Sequence, residues 1–263
     1  MAVTHNGVTY RVADAHAHIY PGKIAEKATA SVGRFYDIEM DEVGLPHILH
    51  EEGTAAGIER FLVCSVATKV EQVESINTFI AEKCKKYPAF IGLGAWHQDI
   101  TDVAGELDRI EALGLRGIKL HPDFQKFNID ADNMLEVYKE CTRRGLIVLF
   151  HTGDDRMDFS SPLRLSKVLE KHPDFLCIAA HLGGYREWDN ARAVLQGTNV
   201  YVDSSSTLFE CSIEHFGVDK TLFGTDFPMW TPKGELERFF SMGFNEEENR
   251  KMLFDNFAKL FGI

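Results

Sequence analysis

Two histidines one residue apart, His16 and His18, stand in the run Asp14-Ala15-His16-Ala17-His18. On a strand, successive side chains alternate between faces, so Asp14, His16 and His18 share one. Two neutral imidazoles at that spacing can grip a single metal ion such as Zn, Fe or Mn. Asp14 could reach the same ion or hold one of its ligands from behind. The preceding run, 8–13, reads as a strand, and Tyr20-Pro21-Gly22 ends it, which leaves the histidines at its C-terminal end. The same placement recurs. Lys119 and His121, His151, His181 and Asp226 each follow an apolar run, as do Trp96-His97 and Asp203.

The elements that must position these residues alternate in type. Apolar runs at 60–66, 90–96, 115–120, 146–150, 175–180, 200–202 and 220–223 read as buried strands. Between them, 70–86, 103–113, 131–144, 162–172, a stretch ending near 195, and 206–215 read as helices, and 233–241 and 246–261 close the chain. Continuously apolar strands alternating with helices imply a parallel sheet covered by helices. Eight such units favour a closed (β/α)8 TIM-like barrel, which typically takes about 250 residues. In a barrel every strand end meets at one rim, where active sites lie. Residues 20–57 are expected to form a long irregular insertion after the first strand, with a short helix at 46–52, serving as a lid. The whole of 1–263 reads as one domain. Met252, Phe254, Phe257 and Phe261 fall at helical spacing and suit core or dimer packing.

The chain has 263 residues, 44% of them hydrophobic, enough for one large core. A formal charge of -12 argues against nucleic acid or an anionic membrane as partner. Five dispersed cysteines without a Cys-x-x-Cys pair suit thiols in a reducing compartment. With no apolar signal core after Met1 and no membrane-length apolar run, the expectation is a cytoplasmic protein with no membrane contact.

Asp-Ala-His-Ala-His, Gly-Ile-Lys-Leu-His-Pro, Phe-His-Thr-Gly, Ala-His-Leu-Gly-Gly and Phe-Gly-Thr-Asp-Phe-Pro occur in that order along the chain. Together they resemble the amidohydrolase superfamily, specifically the amidohydrolase-related (amidohydrolase 2) branch that includes aminocarboxymuconate-semialdehyde-type decarboxylases. The resemblance implies that His16, His18, His151 and Asp226 hold one divalent metal ion, Zn2+ foremost, with Mn2+ or Fe2+ as alternatives. It implies that Asp226 also takes the proton of water and that His181 faces the substrate as acid, base or donor. Lys119 has three readings: a substrate-anion contact, a carboxylated bridge between two ions, or an interior lysine paired with a carboxylate. The non-bridging lysine is preferred. His121 is expected either to line the pocket as a substrate-binding residue or to satisfy loop backbone with its imidazole. Arg34 and Arg156, and also Arg186, are candidate clamps for a substrate carboxylate, since a guanidinium binds carboxylate bidentately.

Two activities follow from this set. One is metal-dependent hydrolysis of a small ester, lactone or amide by activated water. The other is non-oxidative decarboxylation of a small unsaturated or aromatic acid. A homodimer is a family-level expectation, and a barrel without catalysis is the non-enzymatic alternative.

Overall fold

The computed structural model describes residues 2–207 and 216–263. The first surprise is local. Val3–His5 (β1) and Val8–Tyr10 (β2) pair antiparallel as a hairpin, and the first barrel strand is Ala13–His18 (β3) itself. Asn6 and Gly7 both adopt positive φ, the conformation a tight two-residue turn demands. The expected strand at 8–13 is therefore two elements, a hairpin arm and the start of β3.

Arg60–Cys64 (β4), Phe90–Gly92 (β5), Gly94–Ala95 (β6), Gly117–Leu120 (β7), Ile147–Phe150 (β8), Cys177–Ala179 (β9), Tyr201–Asp203 (β10) and Thr221–Leu222 (β11) follow. β3, β4 and β5 pair in parallel, and β6 to β11 pair in parallel in chain order. β5 and β6 are one stave interrupted at Leu93, whose N–H donates to Val63 O at 2.9 Å. The last stave returns to the first. Ala15 N–H donates to Phe223 O (2.8 Å), Asp226 N–H to His16 O (2.8 Å), and His18 N–H to Phe227 O (2.7 Å). Eight staves thus run round in sequence order. This is the expected α/β barrel.

The alternation of side chains along each stave sorts the core in two. Ile147 and Leu149 join Leu62, Leu93, Ile178 and Leu222 in one cluster, together with Phe254, Phe257 and Phe261 of the C-terminal segment. Val148 and Phe150 belong to the other, larger cluster, with Phe61, Ile118, Tyr138 and Phe175. Both faces of each stave are buried, which is why these strands read as continuous apolar runs. Met252, Phe254, Phe257 and Phe261 are all buried within the chain's own core.

Residues 20–57 are not irregular. They hold two helices, Ala25–Tyr36 (α1) and Pro46–Ala55 (α2). The buried positions of α1 are Ala25, Thr29, Gly33 and Tyr36, one helical face. Three of the four are small, so the hydrophobic stripe that betrays a helix is faint. The remaining helices are Val73–Lys86 (α3), Val103–Ala112 (α4), Pro122–Gln125 (α5), Asp132–Arg144 (α6), Pro162–Lys171 (α7), Trp188–Leu195 (α8), Pro232–Ser241 (α9), Glu246–Arg250 (α10) and Asn256–Phe261 (α11). A π-turn, Lys251–Asp255, joins the last two. Of the expected helix at 206–215, residues 208–215 lie outside the described residues, and Ser206 and Thr207 are not helical.

Candidate active site

Each strand end delivers its side chain to one rim. His16 and His18, from β3, bring their Nε2 atoms within 3.1 Å of each other. Asp226, four residues past β11, places Oδ1 3.5 Å from both. Lys119 of β7 is 1% exposed and sets Nζ 3.1 Å from His16 Nε2. Backbone strain helps aim this group, since Asp226 itself adopts φ 55°, a conformation that costs a non-glycine residue free energy.

The carboxylate of Asp203, at the end of β10, orients the cluster from behind. One oxygen accepts from His16 Nδ1 at 3.1 Å, which leaves His16 Nε2 with its lone pair facing the rim. The other accepts from the Ser205 hydroxyl and from the His181 main-chain N–H. Asp226 is held similarly. Trp230 Nε1 donates to Ser206 Oγ (3.0 Å), and Ser206 donates to Asp226 Oδ2 (2.8 Å), which frees Oδ1. Asp14 does not face the rim. A bulge in β3 between Asp14 and Ala17 turns it toward Thr225, whose hydroxyl and main-chain N–H it accepts. It also accepts the His16 N–H, so it braces the strand end that carries His16.

His151, just past β8, and His181, two residues past β9, form the other side. His151 Nε2 donates to Gly153 O at 2.9 Å, and His181 Nδ1 donates to Ser205 O at 3.1 Å. Their remaining nitrogens, His151 Nδ1 and His181 Nε2, lie 3.1 Å apart. His121 stacks flat on His151, with centroids 4.0 Å apart, and Phe124 stacks on His121 at 3.7 Å. His121 is also the N-cap of α5, its Nδ1 accepting from Phe124 N–H, with Pro122 in the first helical turn. That four-residue helix is too short to leave a sequence period.

Burial sets the protonation states. It drives His16, His121 and His151 well below the ordinary imidazole pKa and so keeps them neutral, the form that ligates metals. Burial would raise Asp226, but the surrounding His16, His18 and His181 hold it well below the usual carboxylate range. Burial also opposes charge on His18, yet Cys64 and Asp226 outweigh it and lift the imidazole to about 9. The field at His18 and Asp226 therefore favours a positive charge.

These facts bear on a divalent cation. His16 Nε2 and His18 Nε2, and likewise His151 Nδ1 and His181 Nε2, lie 3.1 Å apart, close enough for each pair to share a proton or an ion. Asp203 and Asp226 are buried, with the Lys119 amine beside His16. The neutral imidazoles of His16 and His151 and the ionised Asp226 carboxylate, with His18 once an ion displaces its proton, form a donor set that zinc or another divalent transition ion accepts. The residues fit such an ion.

A cavity of about 640 Å³ opens over this centre. It is walled by α1 (Ile24, Ala28, Val32, Phe35, Tyr36) and by Phe124, Tyr185 and Met229. His16, His18, Lys119, His121, His151, His181 and Asp226 all line it. The arginines do not. Arg34 is exposed on α1 and donates to Ser31 Oγ. Arg156 grips Asp154 and donates to Phe35 O, tying α1 to the loop after β8. Arg186 pairs with Asp155 at 3.8 Å. Among the described residues, the basic side chains at the wall are Lys27, Lys119 and Lys126. Trp96 and His97 are buried away from it, His97 accepting the Asp99 N–H. Tyr36, Ser205 and Ser206 are the residues that sequence reasoning passed over as parts of the site. Only the Ser204-Ser205-Ser206 run beside Asp203 carried a signal.

A barrel with histidines and carboxylates gathered at its strand-end rim belongs among the barrel enzymes. The amidohydrolase family model matches residues 13–263, and the chain belongs to that family, within the amidohydrolase superfamily. No curated protein matches the sequence. Solved structures resemble it in fold. An uncharacterized TIM-barrel protein from Bordetella bronchiseptica is 21% identical, with TM-score 0.78, over 96% of this chain and 98% of that one. A 5-carboxyvanillate decarboxylase from Novosphingobium aromaticivorans, complexed with manganese and 4-hydroxy-3-methoxy-5-nitrobenzoic acid, is 18% identical, with TM-score 0.73, over 97% and 96%. A probable 2-pyrone-4,6-dicarboxylic acid hydrolase from Acinetobacter baumannii, with citric acid bound, is 15% identical, with TM-score 0.71, over 96% and 100%. Among the described residues, no helix is long and apolar enough to cross a membrane.

Proposed function

We propose that the chain, as one barrel domain, is a metal-dependent hydrolase acting on a small ester, lactone or amide. The observation that carries this reading is the convergence of His16 Nε2, His18 Nε2 and Asp226 Oδ1 within 3.1–3.5 Å, with His16 locked in tautomer by Asp203. His151 is taken as the fourth ligand: it lines the same cavity, with Nδ1 3.1 Å from His181 Nε2. A divalent ion held there, zinc first and manganese or iron next, supplies Lewis acidity toward water and a carbonyl oxygen.

The chain's own groups do the rest. Asp226 Oδ1, ionised and fixed through Oδ2 by Ser206, accepts the proton of the attacking water. His181 Nε2 is bare because Nδ1–H is committed to Ser205 O, so it serves as a second base and then returns the proton to the leaving group. Lys119 Nζ is a donor for a substrate oxygen. Its pKa is lowered because burial disfavours the ammonium. The α1–α2 excursion walls the cavity, limits water and sets the shape of what enters, as a lid does.

A decarboxylase is the second reading. The aromatic wall of Phe35, Tyr36, Phe124 and Tyr185 suits a ring-bearing acid, and a decarboxylase with manganese and a benzoic acid shares the fold. Metal-loaded protein should be assayed on lactone and ester panels and on unsaturated and aromatic acids, with CO2 detection. Hydrolysis without CO2 supports the first reading, and CO2 release replaces it with the second. In either case Asp226→Asn should lower turnover by about 10²- to 10⁴-fold while the fold persists. Near-normal turnover in that variant sinks the mechanism.

A further inference from the structure

Tyr36 ends α1 and is 7% exposed, and its hydroxyl reaches between two histidines of the rim. It lies 2.9 Å from His121 Nε2 and 3.2 Å from His151 Nε2. Neither nitrogen is free to accept. His121 Nδ1 accepts the Phe124 N–H at 3.4 Å, so the ring proton is on Nε2 and points at the Tyr36 oxygen. His151 Nε2 carries the proton it gives to Gly153 O. The phenol oxygen therefore receives hydrogen bonds, and among the described residues nothing accepts its own O–H. A buried donor without an acceptor is costly unless a ligand completes it. Tyr36 lines the cavity over the candidate centre.

We infer that Tyr36 is a substrate-binding residue: its O–H donates to a substrate oxygen that bears or develops negative charge. This deepens the proposed function and rests on it for the identity of the cavity as the substrate site. Histidine donors behind the oxygen polarise the O–H and strengthen it as a donor. The geometry also gives the excursion a chemical part. When α1 is seated, one hydrogen-bond donor is added to a rim otherwise built by strand ends. The ligand class is then a small molecule with an apolar body that fits among Phe35, Phe124 and Tyr185, and with an anionic oxygen at the Tyr36 end.

The test uses metal-loaded full-length protein and two isosteric probes, benzoate and nitrobenzene, titrated calorimetrically. Tyr36→Phe keeps the ring and its packing and removes only the hydroxyl. Benzoate should bind the variant about tenfold or more weakly, since a hydrogen bond to a charged group is lost, and nitrobenzene should bind both proteins equally. Equal benzoate affinity in the two proteins overturns the assignment. So does an equal loss for both probes, which would mark a packing role, and so does a failure of benzoate to bind the wild type. Metal content is measured on the same samples. If neither protein retains metal, the proposed function fails, while the benzoate comparison still decides Tyr36.

Discussion

The two sides of the rim are built differently. On the β3–β11 side, His16, His18 and Asp226 sit on or just beyond barrel staves, and main-chain hydrogen bonds between those staves fix their spacing. Behind them stand buried carboxylates and hydroxyls: Asp203, Asp14, Ser205 and Ser206. On the other side, His121, His151 and Tyr36 come from a helix cap, a loop start and the end of α1. They are held by ring stacking and by contacts with the α1–α2 excursion. The first side resembles a ligand shell, in which orientation is over-determined. The second, His151 Nδ1 apart, resembles a wall, whose geometry depends on how α1 is seated. A metal centre and a substrate pocket ask for these two kinds of rigidity.

Substitutions can sharpen or break that contrast. Beyond the loss expected for Asp226→Asn, Asp203→Asn should have the largest effect. It removes the anion that holds His16 and the His181 loop, so metal affinity should fall about 10- to 100-fold, read by competition with a chromophoric chelator. An unchanged affinity would mean that the stave geometry alone suffices. A smaller effect is expected on the wall. Arg156→Ala cuts the tie from Asp154 to Phe35 O. Because that guanidinium is partly exposed, the stability change should be about 1 kcal/mol or less in thermal unfolding. Metal affinity should not move, while KM rises a few-fold. A fall in metal affinity would show that the two sides are one unit.

The legibility of the molecule follows the same division. His16, His18, His151, His181 and Asp226 announced themselves because each ends a run of apolar residues, and the barrel makes strand ends neighbours. The alternation of buried strands and helices carried the fold. Tyr36 was silent, because the face of α1 that carries it otherwise buries only the small Ala25, Thr29 and Gly33, and because its partners lie 85 and 115 residues away. The arginines looked like clamps by chemistry alone. Position shows Arg156 and Arg186 paired with aspartates and Arg34 donating to Ser31, all outside the pocket. The strand expected at 8–13 is split because the Asn6-Gly7 turn folds Val8–Tyr10 back onto Val3–His5. The role of Asp14 depended on a bulge that no periodicity reveals.

The central claim is that the His16–His18–Asp226 group, with His151, holds one divalent ion. Elemental analysis of protein purified without added metal or chelator, followed by titration of the stripped protein with zinc and manganese, tests it most directly. The account predicts about one transition ion per chain and a rise in melting temperature on reloading, both lost in His16→Ala. No bound metal, no uptake on titration and no thermal shift would contradict it.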